Sequence, residues 1–97
     1  MSTAADPTPP LPGPRPAIYE PAEVIGRSRY LTILNSPDAV SEIYDFYVAE
    51  LERAGWVTTS RVFGGASATL VARHGPHGAT ISINHTGIGT SISIGSY

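Results

Sequence analysis

The chain has 97 residues, a formal net charge of −2 and no cysteine. That length fits one small domain, and the absence of cysteine excludes a disulfide framework and a thiolate metal site. All six basic residues are arginines scattered along the chain, which gives no electrostatic footprint for nucleic acid. No apolar run is long enough for a membrane-spanning helix.

Seven of the nine prolines lie within the first 21 residues. Such a segment favours extended polyproline II and buries little, so residues 1–17 are expected to form a flexible Pro-rich tail and residues 18–97 a single domain. Pro9 and Pro12 have the spacing read by aromatic-lined grooves and are the tail's candidate partner contacts. Gly13 stands where a docking arginine is needed, which favours a tether. The N-terminus has neither the basic nor the apolar region of a secretory signal. The chain as it stands is therefore expected in the cytoplasm, or outside it if a signal has been removed.

Arg29 to Leu34 is β-branched and aromatic and reads as a strand. An amphipathic helix follows. Ser36 is the expected N-cap, Pro37 the first helical residue, and Asp38 a favourable charge at the positive end of the helix dipole. At 100° per residue, Val40, Ile43, Tyr44, Tyr47, Leu51 and Ala54 share one stripe. Gly55 supplies the left-handed residue that ends the helix, and Trp56 stands where an apolar contact back onto Leu51 belongs. Phe46 lies off the stripe, where it serves either as a flanking core residue or as a contact for another subunit.

Four alternating segments come next: Trp56 to Phe63, Ser67 to His74, Ala79 to His85 and Thr90 to Ile94. Short glycine-containing turns make consecutive segments antiparallel hairpins. Ile81, Ile83, Ile92 and Ile94 define an apolar face, and Thr80, Ser82, Ser91 and Ser93 the opposite, polar one. The fold class is therefore α+β: one amphipathic helix packed on one face of a mostly antiparallel sheet, in the order β-α-β-β-β-β. The polar face is open to water or to a second subunit.

Candidate chemistry is sparse. His74, His77 and His85 are the only histidines, and hairpin geometry offers to bring His74 near His85 as a zinc site. No acidic residue follows Glu52 to orient them, so no metal is expected. Asp38, Glu42, Asp45 and Glu52 fall on the solvated helix face, where nothing separates their pKa values for acid–base work. Gly64-Gly65 and Gly87-Ile88-Gly89 join strand to strand, not strand to helix, so they are turns and not phosphate loops. No catalytic residue and no cofactor is assigned.

The run from Tyr19-Glu20-Pro21-Ala22-Glu23-Val24 to Ser36-Pro37, then Phe46-Tyr47, Leu51 and Gly55-Trp56, is similar to small bacterial domains of unknown function, often exported or lipid-anchored. That resemblance covers most of residues 19 to 94 and implies a fold, not a reaction. The helix, with Phe46-Tyr47 near its end, also resembles that of the βαβββ module of the vicinal oxygen chelate fold. That resemblance implies an enzyme or ligand-binding protein only as a dimer, with metal ligands on its strands. The reading that follows is a non-enzymatic accessory or interaction domain, tethered by its N-terminus to a protein partner or forming a homo-oligomer. Its rival is the dimeric, chelate-type module.

Overall fold

The computed structural model describes residues 16–97. Six strands form one antiparallel sheet: β1 (Glu23–Arg27), β2 (Leu31–Ser36), β3 (Val57–Phe63), β4 (Ser67–His74), β5 (His77–His85) and β6 (Thr90–Ser96). A single helix, α1 (Val40–Arg53), lies between β2 and β3. From β2 onward the order is the expected β-α-β-β-β-β, on an α+β fold.

Strand β1 is the addition. It pairs with β2 at the sheet edge, with a bulge between Val24 and Gly26. It has only five residues, one of them glycine, and Ile25 is exposed. A short, bulged edge strand makes few demands on its sequence, which is why alternation does not reveal it.

The spatial order is β1-β2-β6-β5-β4-β3. Each neighbour is antiparallel, so β2 and β3 run in the same direction with three strands between them. Two parallel strands cannot be joined by a hairpin, and α1 supplies the crossover. It must travel back along the strands and sideways by about 19 Å, four strand spacings, and 14 residues of helix reach about 21 Å.

The helix starts later than the sequence suggests. Ser36 ends β2 and is not the N-cap, a position that Ala39 holds instead. Ser36 Oγ donates to Pro21 O (2.6 Å) and accepts from the Asp38 amide (3.2 Å). Its hydroxyl therefore fastens the N-terminal segment to the turn before the helix. The Ala39 amide donates to Glu42 Oε1 at 3.3 Å, one half of a capping box. The other end is as expected. Gly55 has φ +90°, its amide donates to Glu52 O (3.2 Å), and the Trp56 amide donates to Leu51 O (2.8 Å). This is a complete Schellman motif, and it requires a residue free of the left-handed penalty at position 55.

Val40, Ile43, Tyr47 and Leu51 are buried against Leu70, Ile81, Ile83, Ile92 and Ile94. Ala54 is exposed at the C-cap, and Tyr44 is half-buried with its ring 5.0 Å from that of Phe63. The helix is too narrow to cover six strands, so the segment before β1 shares the task. Tyr19 is buried in the same core as Leu34. The packed region extends at least to Pro16, which is buried, two residues before the expected boundary.

Trp56 is 5 % exposed and stands at the junction of helix and sheet. Trp56→Ala is expected to cost about 3–5 kcal/mol, read as a fall in urea midpoint at constant slope. An unchanged midpoint means that the helix end is not anchored by this ring.

Candidate functional site

Among the described residues, a concavity lies at the N-terminal end of α1. Three connections meet there: the β2–α1 turn, the β3–β4 turn and the β5–β6 turn. It encloses about 630 Å³, within the range of about 300–1,000 Å³ usual for small-molecule sites. Ala39, Val40 and Ala66 contribute apolar wall, His85 and Asp38 polar groups, and Ile88 the rim.

Each wall is held from below. Gly89 passes so close to β2 that a Cβ on it would stand 2.8 Å from Ser36 O, so only glycine allows this approach. Thr90, 1 % exposed, donates from Oγ1 to Asp38 O at 2.6 Å and ties β6 to the helix entry. Between the two fixed glycine positions, Ile88 is 91 % exposed. It also borders a second hollow, of about 410 Å³, lined by Pro21, Ala22, Glu23, Asn35, Ser36 and Pro37. A lone exposed apolar side chain needs no explanation by itself. This one stands on a ridge between two hollows.

A phenol network meets the cleft only at Asp38. Tyr47 is fully buried, and its hydroxyl donates to Ala17 O (2.8 Å) while accepting from the Tyr19 amide (3.0 Å). The Tyr19 hydroxyl donates to the Asp38 carboxylate. That bond, with burial and the charges of Asp38 and Glu42, pushes Tyr19 up to about 12. Burial drives Tyr47 up as well, and the negative charges of Glu50 and an ionised Tyr19 add to it, against the amide of Tyr19, which favours the phenolate. Asp38 is thus half-buried and partnered, and not on the solvated helix face where the sequence places it with Glu42, Asp45 and Glu52.

The other candidate residues scatter. His74 faces His77 across the β4–β5 turn. His85 lies at the far end of β5, roughly 26 Å away at strand spacing, so the hairpin separates the histidines where it was expected to bring them together. His74 instead packs edge-on against Trp56, ring centroids 5.4 Å apart. Among the described residues no three His, Cys, Asp or Glu side chains group as a metal site needs. Phe46 is half-buried, edge-on to Tyr19 (5.1 Å) and to Tyr47 (5.0 Å). Pro9 and Pro12 lie outside the described residues. Among those residues no helix is long and apolar enough to cross a membrane.

A family model described as START domain-like matches residues 20–91. The chain belongs to the START domain-like family. No curated protein and no solved structure matches it. The matched span takes in all of α1 and every residue lining the cleft. The concavity is a feature that sequence reading passed over. The available signal was Gly87-Ile88-Gly89, an isoleucine set between two glycines in a turn.

With no lysine or cysteine in the chain, tyrosines dominate its alkaline titration. A phenol raised from 10 in the unfolded chain to about 12 in the fold contributes stability that is complete below pH 10 and lost as pH rises through 12. Wild-type stability should therefore fall between about pH 10 and 12, and Tyr19→Phe should flatten that fall. Urea midpoints measured across this window decide it. An equal slope in the variant shows that Tyr19 ionises freely.

Proposed function

We propose that this protein is a non-enzymatic binding domain whose ligand is a small, largely apolar molecule held in the cleft at the N-terminal end of α1. The observation that carries the reading is the cleft itself, placed where helix and sheet separate and falling inside the START domain-like match. Two of its polar groups, Asp38 and Thr90, are committed to the fold. Asp38 accepts from Tyr19, and Thr90 donates to the Asp38 carbonyl. Such groups orient a ligand but are not free to exchange protons with it. The chelate-type enzyme would need metal ligands converging from the strands, whereas the histidines stand at opposite ends of β5.

A neutral naphthylamine dye, which brightens in apolar surroundings, is expected to bind with one site per chain. Ala66→Trp, which fills the cleft from an exposed turn, should weaken it at least about tenfold without lowering the melting temperature. Absence of binding, or equal binding by the variant, removes the cleft as the site.

The accessory-subunit reading is favoured by a different surface, the outer face of the sheet, where small uncharged side chains predominate. In this reading the residues before Pro16 are the tether. Deleting residues 1–15 should then leave the melting temperature unchanged, because Ala17 and Tyr19 keep their bonds to Tyr47. Association with the native partner, measured by pull-down, should weaken. Equal capture with and without these residues rules the tether out.

A further inference from the structure

The side of the sheet away from the helix is an array of mostly small side chains. Its cross-strand rows are set by the register. One runs Val62, Thr69, Ser82, Ser93, Ile33, and another Val71, Thr80, Gly95, Leu31. The centre is hydroxyl-lined and half-buried. Towards the perimeter stand exposed apolar groups: Leu31, Val57, Val62 and Tyr97, whose ring lies over Gly78. A surface that resists association is about 25–35 % Lys, Arg, Glu and Asp. Here the outward-facing strand residues carry two charges. Arg73 lies opposite Val57 and Gly78 at one corner, and Glu23 opposite Asn35 at the diagonally opposite corner.

We infer that this face is the interface with a second copy of the chain, related by a two-fold axis lying in the plane of the face. The position of the two charges fixes the axis. Running it from the β1–β2 turn to the β3–β4 turn lays each Arg73 over the partner copy's opposite charge at Glu23, twice by symmetry. At strand spacings of about 4.8 Å and residue rises of about 3.3 Å, the face is close to square, so this operation superposes it on itself. The strands of the two sheets then cross near 90°, an established mode of sheet packing. Ser82 falls on the axis, against its own symmetry copy.

The same spacings give roughly 550 Å² per copy, about 1,100 Å² for the pair, just above the ~1,000 Å² expected of a specific interface. Serine and threonine lose little rotamer freedom on burial and let the sheets approach closely, but their hydroxyls keep the interface wet. The dimer is therefore a weak one, with a dissociation constant in the micromolar range.

Sedimentation velocity on the full chain, from low micromolar to near-millimolar concentration, should show reversible monomer–dimer exchange. Ser82→Arg sets like charges together on the axis and should abolish the dimer. Arg73→Glu and Glu23→Arg should each raise the dissociation constant about tenfold, the effect of losing two exposed ion pairs. Combining the two should restore the dimer. All three positions face outward, so circular dichroism and melting temperature should be unchanged. A monomer at every concentration gives the face to another protein or to water and overturns the inference. So does a dimer that Ser82→Arg leaves intact, or a double variant that fails to recover. The cleft is on the opposite side of the sheet, so dye binding by the monomeric variant should match wild type. Failure of one site thus leaves the other standing.

Discussion

Everything in this molecule depends on covering one apolar sheet face with too little chain. Ile81, Ile83, Ile92 and Ile94 present a surface that must leave water, at roughly 1.5–3 kcal/mol for each side chain fully buried. The covering layer is one helix of 14 residues and the segment that carries Tyr19. Because β2 and β3 are parallel and separated, the helix has to cross the sheet, and it contacts chiefly the β3–β5 half. Tyr47 joins the two parts of the layer. It buries its ring with the sheet and keeps its hydroxyl satisfied by the backbone on both sides of Ile18. A buried phenol without those bonds would cost about 1–3 kcal/mol.

The cleft follows from the same shortage. At its C-terminal end the helix is closed down by the Gly55 turn, with Trp56 and His74 packed edge-on beneath it. At its N-terminal end there is no equivalent plug: Ala39 offers no capping side chain, the β3–β4 turn holds small residues, and Ile88 of the β5–β6 turn stands out in solvent. The layers part there, and a hollow is left. The hollow lies at the end of the helix–sheet sandwich that packing leaves open, while the well-packed end fixes the helix in position.

The two faces of the sheet therefore serve different purposes. The inner face is committed to folding, apart from its open end. The outer face contributes nothing to the core, and the monomer accounts only in part for its having just two charges. Strand propensity disfavours lysine and glutamate relative to threonine, but the whole scale spans only about 1 kcal/mol. A demand from outside the chain, a second copy meeting it face to face, gives that composition a reason.

The sequence by itself determined the helix and its end, the four hairpin-linked segments, and the apolar face of the two segments that carry Ile81, Ile83, Ile92 and Ile94. These are local properties: a 3.6-residue stripe, a glycine that must take positive φ, and period-two alternation are written in neighbouring residues. It did not determine β1, whose pairing with β2 is an edge contact with few requirements, nor the true start of the helix. Ser36 carries every mark of an N-cap, yet its hydroxyl is taken by Pro21, fifteen residues away. The histidines were misplaced because distance along a strand is not distance across a hairpin. Only tertiary structure could decide that β6 inserts beside β2, that Asp38 is partnered by Tyr19, and that three turns distant in sequence enclose one cleft. Each of these is a contact between segments whose local patterns are indifferent to one another, so no window along the chain contains the information that brings them together.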